Sequence, residues 1–223
     1  GSERVMAGTS TYSTAESVEL THLAEKAGAG SLLLVTPYYN KPGQAGCVHH
    51  FRTVADATNV PVMLYDVPAR TGTTISLETY ETVIGCETVV AVKDAVGDFA
   101  RGVRLTEMGY AVYSGDDISN LGWLAHGGCG FVSVVGHAAG DQLKAMADAF
   151  FAGDPARALE VYRNVLPAID AMMGVANYGA TTAKAALQLL GVLDNRNVRG
   201  PLVPLDDDEV AALRAGLSAA GLL

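Results

Sequence analysis

Cysteines and long apolar runs are both scarce in this 223-residue sequence. The three cysteines, Cys47, Cys86 and Cys129, lie far apart and form no Cys-x-x-Cys pair. This argues against a disulfide framework and against a zinc ribbon, and it fits a reducing compartment. No stretch approaches the roughly 18 consecutive apolar residues that a membrane-spanning helix needs. The sequence therefore favours neither a disulfide-stapled secreted protein nor a membrane protein.

Basic charge is scarce as well. The chain has 15 Lys and Arg against 24 Asp and Glu, for a net charge of −9. Such a balance gives no field that attracts a phosphate backbone or an anionic lipid surface, so we expect neither nucleic acid nor a membrane as partner. No secretory leader pattern opens the chain, which predicts a cytoplasmic protein. The 49% of hydrophobic residues suffices for one globular domain, with a small appendage at most.

Short apolar runs alternate with alanine-rich amphipathic segments over the first two thirds of the chain. The interiors of the runs, such as LLLV, VMLY and VVAV, are continuously apolar, which is typical of parallel strands covered on both faces. Their spacing of about 20 to 30 residues is that of βαβ units. Capping residues predict a first helix that opens at Ser13 and closes at Gly28. Six strands are predicted, at residues 4–7, 31–36, 61–66, 89–93, 111–114 and 130–135.

After Gly136 the pattern predicts helices only, at residues 141–152, 155–173, 180–190 and 207–220. We therefore divide the chain into a partial barrel, residues 1–140, and a C-terminal helical extension, residues 141–223. Six βα units fall short of a closed (β/α)8 barrel, which needs eight strands. A doubly wound open sheet also accommodates six strands, but the sequence has no GxGxxG after its first strand and no P-loop.

Chemically useful side chains follow the predicted strands, at the end where parallel α/β folds place their active sites. Lys93 emerges from an apolar strand, where desolvation disfavours the ammonium form and leaves some neutral amine to attack a carbonyl. Tyr65 ends the preceding strand and can relay protons. Arg70 lies in the next loop and suits a carboxylate. Each of the three residues also has a non-functional interpretation, which stays open. Lys93 could simply reach solvent, Tyr65 could serve packing alone, and Arg70 could be an ordinary surface residue.

Two further groups of side chains are compatible with a site. Tyr38 and Tyr39 stand between two prolines, which predicts a rigid projecting turn that serves either the site or a subunit contact. His49 and His50 lie in a predicted helix near Cys47, but no carboxylate or further histidine stands at ligand spacing. We therefore expect no metal.

Five motifs, TPYYNKP, YDVPARTG, VAVKDAVGD, YSGDD and GFVSVVG, resemble in order and spacing those of the class I pyruvate-dependent aldolase and lyase family. The resemblance runs from about Arg4 to the end of the chain. It implies an α/β fold, the (β/α)8 TIM barrel with a C-terminal helical extension, usually as a homotetramer. Relative to that pattern the sequence lacks the first two βα units. The resemblance also implies a Schiff-base lyase with no cofactor other than the covalent lysine–pyruvate imine.

The resemblance implies a place in lysine biosynthesis through diaminopimelate. Lys93 would form an imine with pyruvate, whose enamine adds to aspartate 4-semialdehyde, and the adduct cyclises to 4-hydroxy-tetrahydrodipicolinate. Tyr65 matches the family's proton-relaying tyrosine, and Tyr39 matches the tyrosine that reaches into a neighbouring subunit's site. Arg70 matches the carboxylate-binding arginine at the entrance. The positions that line the pyruvate pocket are matched by Gly115, Asp116 and Val132.

Two alternative functions stay open. A sugar-acid aldolase of the same family, of the N-acetylneuraminate lyase or keto-deoxy-gluconate aldolase type, would share Lys93 and Tyr65 but usually lacks an arginine at the place of Arg70. An inactive truncated fragment is the other alternative. In the family, the first two βα units end in a Gly-Thr-Thr-Gly loop that binds the pyruvate carboxylate, and this sequence lacks both the units and the loop. Tyr12 also replaces the asparagine expected in the family's lysine-feedback site, which argues against inhibition by lysine.

Overall fold

Six parallel strands form one sheet in the computed structural model, which describes residues 1–223. Each strand pairs with the next one along the chain, in the order β1-β2-β3-β4-β5-β6. The prediction of six parallel strands in an α/β fold is thereby confirmed. The strands are β1 (Met6–Gly8), β2 (Ser31–Val35), β3 (Val62–Asp66), β4 (Val89–Asp94), β5 (Ala111–Ser114) and β6 (Gly130–Phe131).

Helices connect consecutive strands and fill the C-terminal part of the chain. The first of them begins and ends as the capping residues predict: the Ser13 side chain accepts a hydrogen bond from the Glu16 N–H, and Gly28 has a φ of +85°. The helices are α1 (Thr14–Lys26), α2 (Gln44–Ala55), α3 (Pro68–Thr71), α4 (Leu77–Val83), α5 (Phe99–Glu107), α6 (Asn120–Ala125), α7 (Gly136–Phe151), α8 (Pro155–Met173), α9 (Ala180–Leu189) and α10 (Asp207–Ala219).

The last strand is shorter than predicted, and this part of the sequence-based assignment is wrong. β6 covers Gly130–Phe131 instead of residues 130–135. Beyond it, the backbone N–H groups of Val134 and Val135 donate to the Asp117 carboxylate at 2.9 and 3.1 Å, so they are not available to a neighbouring strand. The following helix therefore begins at Gly136, five residues before the predicted start at residue 141.

The register of the sheet separates two kinds of side chain onto its two faces. Along β2, Leu32 and Leu34 are fully buried, whereas Leu33 and Val35 on the other face are half-buried. Side chains alternate across a strand, and in-register residues of parallel neighbours share a face. One face is thus buried under the helices, mostly by apolar side chains, and the other carries half-buried side chains such as Tyr65 and Lys93.

The chain divides into two compact units. The first consists of residues 1–116 and 125–131 and contains the sheet; the second consists of residues 117–124 and 132–223. Within the second unit α7 packs against α8 and α9, and α10 packs against α8 and α9. No helix combines the length and the apolar character that a membrane crossing requires. The buried side chains at the centre of the second unit include Leu143, Met146, Val165, Ile169, Met172, Leu213 and Leu217.

Candidate active site

Lys93 and Tyr65 lie side by side near the carboxyl ends of neighbouring strands. They are register partners across β3 and β4, and Lys93 is also the register partner of Tyr113 on β5. The Lys93 Nζ lies 4.2 Å from the centroid of the Tyr65 ring, within the range of a cation–π contact. All three side chains are half-buried. The structure therefore brings together the amine and the phenol that the strand ends predict.

A cavity of about 520 Å³ lies beside Tyr65. Tyr65 belongs to its lining, and Lys93, whose Nζ lies over the Tyr65 ring, does not. Arg70 and Tyr39, two further residues singled out in the sequence, belong to the lining. The lining residues are Gly8, Ser10, Leu33, Val35, Tyr38, Tyr39, Tyr65, Val67, Arg70 and Thr71.

The loop after β3 presents Arg70 on a single turn of helix. Pro68 occupies the first turn of α3, where its missing N–H is not needed, and Gly72 ends the helix with a φ of +72°. The buried Thr71 hydroxyl donates to the Val67 carbonyl at 3.2 Å and to the Thr73 carbonyl at 3.0 Å. This local hydrogen bonding fixes the turn and leaves Arg70 exposed at the rim of the cavity.

The tyrosine pair lies in a loop with unusual backbone geometry. Tyr39 has a φ of +71°, a conformation that non-glycine residues rarely adopt, and it is 90% exposed. The Tyr38 ring packs edge-on against the Tyr12 ring, with 5.7 Å between centroids. The Asn40 side chain donates to the Tyr12 carbonyl at 2.9 Å and ties the loop to the segment before α1. The predicted projecting turn is present, and Tyr39 is the residue that projects.

Gly115 leaves room for the Lys93 side chain. Its N–H donates to the Asp94 carbonyl at 2.7 Å, which holds the segment after β5 against the end of β4. A Cβ at this position would lie 3.0 Å from the Lys93 Cγ and 3.1 Å from both the Ala95 Cβ and the Asp94 carbonyl oxygen. A larger residue would therefore press on the stem of the lysine.

Asp116 and Val132 lie farther along the chain, and the two belong to different units. Asp116 is half-buried; its carbonyl accepts from the Ser114 hydroxyl at 2.9 Å, and its N–H donates back to that hydroxyl at 3.3 Å. Val132 follows β6 in the second unit and is also half-buried. No group of three or more His, Cys, Asp and Glu residues is arranged to hold a metal ion.

His50, which the sequence analysis weighed as a metal ligand, is buried in a hydrogen-bond chain. The Ser10 hydroxyl donates to the Val35 carbonyl at 2.7 Å, so it accepts from the His50 Nε2 at 3.1 Å. The His50 Nδ1 then accepts from the Thr14 hydroxyl at 2.9 Å. Burial, with a smaller effect of His49, lowers the pKa of His50 to about 4, so the imidazole is neutral at pH 7. It connects α2 to the loop after β1, which lines the cavity.

A buried ionic cluster that the sequence pattern does not predict lies on the helix-covered face of the sheet. The Arg101 guanidinium on α5 contacts the Asp66 carboxylate at 2.6 Å and the Asp94 carboxylate at 2.5 Å. The Tyr80 hydroxyl also lies 3.4 Å from Asp66. Burial raises the pKa of Asp66 to about 6, against the opposing effect of the arginine, and it raises the pKa of Asp94 as well. The sequence feature that could have predicted this cluster is an acidic residue, Asp66 or Asp94, at the end of each of two adjacent strands.

Comparisons with known proteins place this chain among one group of enzymes. The profile of the dihydrodipicolinate synthetase family matches residues 1–220. A 4-hydroxy-tetrahydrodipicolinate synthase of Kineococcus radiotolerans is 51% identical over 219 residues, which are 98% of this chain and 71% of the relative. 4-Hydroxy-tetrahydrodipicolinate synthase 2 of Streptomyces coelicolor is 46% identical over 219 residues, 98% of this chain and 72% of the relative.

Solved structures of dihydrodipicolinate synthases also have the same fold as this chain. A dihydrodipicolinate synthase from Thermotoga maritima has a TM-score of 0.92 at 34% identity, covering 98% of this chain and 76% of that one. A dihydrodipicolinate synthase from Cyanidioschyzon merolae with lysine bound has a TM-score of 0.92 at 38% identity, covering 99% of this chain and 75% of that one. These similarities confirm the expectation that the six βα units are part of a (β/α)8 architecture.

Proposed function

The chain belongs to the dihydrodipicolinate synthetase family, and we propose that it condenses pyruvate with aspartate 4-semialdehyde to 4-hydroxy-tetrahydrodipicolinate. The enzyme is then a lyase of lysine biosynthesis through diaminopimelate. The relatives described above are named for this synthase, which favours it over a sugar-acid aldolase. The observation that carries the proposal is the position of the Lys93 Nζ, 4.2 Å from the centre of the Tyr65 ring at the edge of the cavity.

Lys93 is the nucleophile in the proposed reaction. Its neutral amine attacks C2 of pyruvate, the carbonyl oxygen leaves as water, and an imine forms. Loss of a C3 proton gives an enamine, whose C3 then bonds to the aldehyde carbon of the semialdehyde while the aldehyde oxygen takes a proton. The amino group of the semialdehyde finally attacks C2, which closes the ring and releases Lys93. The imine itself withdraws electrons, so the reaction needs neither a metal nor an organic cofactor.

Tyr65 and Arg70 have separate roles in this proposal. The Tyr65 ring lies against the amine and lines the cavity, which supports the proposal that its hydroxyl relays protons during imine formation and aldol addition. Arg70 lies at the rim, where its guanidinium can pair with the carboxylate of the incoming semialdehyde. Gly115, Asp116 and Val132 remain the proposed pyruvate-pocket positions.

We propose that Tyr39 acts in an assembled homotetramer. Its 90% exposure and its φ of +71° place the ring outside the packed core of its own unit, where it is available to a second copy of the chain. In such an assembly its hydroxyl would complete the proton relay of a neighbouring site. We also propose a cytoplasmic location, which the three free cysteines support, since unpaired thiols fit a reducing compartment.

The test of the proposed function is imine trapping. The protein is incubated with pyruvate, reduced with borohydride, weighed intact and digested to locate the adduct. We expect one pyruvyl adduct on Lys93, lost in Lys93→Ala and kept in Lys144→Ala, a control at an exposed lysine of α7. Absence of an adduct on the unmodified protein contradicts the Schiff-base mechanism.

A second experiment separates the proposed substrate from that of a sugar-acid aldolase. Arg70→Ala should leave pyruvate trapping unchanged but raise KM for aspartate 4-semialdehyde by roughly tenfold or more, since a hydrogen bond to a charged group contributes about 1.5–3 kcal/mol. Arg163→Ala, at an exposed position of α8, is the control. An equal effect on an aldehyde without a carboxylate would disprove the role of Arg70.

A further inference from the structure

A buried ionic bridge lies directly behind the Lys93–Tyr65 pair. The Arg101 side chain is only 10% exposed, and the carboxylates of Asp66 and Asp94 are 0% exposed. One guanidinium nitrogen contacts each carboxylate, at 2.6 and 2.5 Å. A single arginine thus binds the last residue of β3 and the last residue of β4 at the same time.

The bridge and the reacting pair are one residue apart in the sheet. Tyr65 is the register partner of Lys93, and the next pair in the ladder is Asp66 with Asp94. Because successive side chains of a strand point to opposite faces, the two acidic residues lie behind the sheet and the amine and phenol in front of it. Any change in the separation of the two strand ends therefore acts on both pairs.

The same bridge holds the loop that carries Arg70. The nitrogen of Arg101 that contacts Asp66 also donates to the Ile75 carbonyl at 2.8 Å, and the Asp66 carboxylate accepts from the Ile75 N–H at 3.1 Å. These contacts join the two ends of residues 66–75, the segment that includes α3. On the other strand, the Asp94 carboxylate accepts from the N–H groups of Val96 and Gly97 at 2.8 and 3.1 Å.

We propose that Arg101 is a positioning residue for the condensation: it holds the ends of β3 and β4 together and thereby sets the placement of Lys93 against Tyr65 and of Arg70 at the rim. This inference rests on the proposed function. Without the cation, two buried carboxylates on adjacent strands repel each other. A lysine restores the charge but offers no planar fork that contacts both carboxylates at once.

The experiment compares Arg101→Lys with the unmodified protein and with Arg104→Lys, a control at an exposed position of the same helix. Far-UV circular dichroism and thermal unfolding establish that each variant is folded. The rate of imine formation is then measured over a range of pyruvate concentrations by borohydride trapping. We expect Arg101→Lys to lower the maximal rate about tenfold or more while KM for pyruvate changes less than about threefold. Arg104→Lys should stay within about twofold of the unmodified protein.

A second variant, Asp94→Asn, removes the same ionic contact from the other side and allows the test to be completed if Arg101→Lys does not fold. Asp94→Asn retains the side-chain oxygen that accepts from Val96 and Gly97 but removes the charge that meets Arg101, and we expect a similar loss of rate. If the two residues act together, the double variant loses no more than about threefold beyond the slower single variant.

The possible outcomes either support or overturn the proposed role of Arg101. A folded Arg101→Lys that forms the imine within about twofold of the unmodified protein overturns it, and so does failure of both single variants to fold, because the bridge would then determine only the fold. If Arg101→Lys alone fails to fold, the rate of Asp94→Asn decides. Absence of an imine on the unmodified protein is a different result: it refutes the proposed function itself.

Discussion

At the residue scale, Gly115 tests whether Lys93, the proposed nucleophile, needs the space beside its side-chain stem. In Gly115→Ala the new Cβ would meet the Lys93 Cγ at 3.0 Å and the Asp94 carbonyl oxygen at 3.1 Å, and the latter belongs to the backbone of a central strand. We expect pyruvate trapping to slow by about tenfold, with a loss of about 1–2 kcal/mol in the free energy of unfolding. Trapping kinetics and urea denaturation measure the two effects.

The matched control for this prediction is Gly140→Ala. Gly140 lies within α7 and a Cβ there would meet nothing within 4 Å. Gly140 directly follows Ala139, whose non-helical backbone interrupts α7, so the gain of about 1 kcal/mol that alanine gives in a regular helix interior does not apply in full. This variant should be about as stable as the unmodified protein and should trap pyruvate at the same rate. Equal trapping rates in the two glycine variants would contradict the crowding argument.

The buried carboxylate of Asp66 makes stability depend on pH in an unusual direction. Burial raises the pKa of Asp66 from 3.8 to about 6, so the folded state keeps this proton to a higher pH than the unfolded state does. Its contribution to stability is greatest below pH 3.8 and is lost as the pH rises through about 6. Between pH 7 and pH 4, the unmodified protein should therefore gain up to about 3 kcal/mol relative to Asp66→Asn.

Urea denaturation of both proteins across this pH range is the measurement. Asp208→Asn, an exposed position of α10, corrects for the general effect of removing one carboxylate. A difference between the unmodified protein and Asp66→Asn that stays constant from pH 7 to pH 4 would mean that the raised pKa is wrong.

The sequence predicts the positions of the proposed reactive residues better than it predicts the positions of the residues that we propose support them. Lys93 and Tyr65 could be found because each ends an apolar run, and strand ends of a parallel sheet share one edge. Arg101 could not be assigned in the same way, because one arginine in a short amphipathic helix has the pattern of a surface residue. Its role depends on two carboxylates that are 35 and 7 positions away in the chain, and only the fold brings these together.

At the scale of elements, the Asp117 carboxylate binds the backbone that follows β6. This carboxylate is buried and accepts from the side chains of Ser133 and Asn120, as well as from the N–H groups of Val134 and Val135. The apolar, β-branched motif GFVSVVG predicts a longer strand, since periodicity gives no information on a distant side chain that captures backbone donors. Helix caps such as Ser13 are local, which is why α1 was predicted correctly.

Asp117→Asn should be strongly destabilising. The amide replaces an acceptor of several hydrogen bonds by a group that is half donor, so at least one buried N–H or hydroxyl loses its partner. We expect a loss of about 2–4 kcal/mol in the free energy of unfolding, measured as a shift of the urea midpoint. Asp141→Asn, exposed on α7, is the control. A midpoint equal to that of the control would show that the segment after β6 does not depend on this carboxylate.

At the scale of the whole molecule, the sheet follows the order of the chain, and its six strands run parallel to one another from β1 to β6.

The sequential order of the sheet also has a consequence for how the chain folds during synthesis. Every strand pairs with the strand made immediately before it, so its partner has already left the ribosome when it emerges. Each new βα unit can extend an existing edge by closing a loop of only one unit, which keeps the entropy cost of each step small. The sheet can therefore grow strand by strand from the N-terminal side, and a pause in translation between units would leave a partly built sheet and not an unfolded chain.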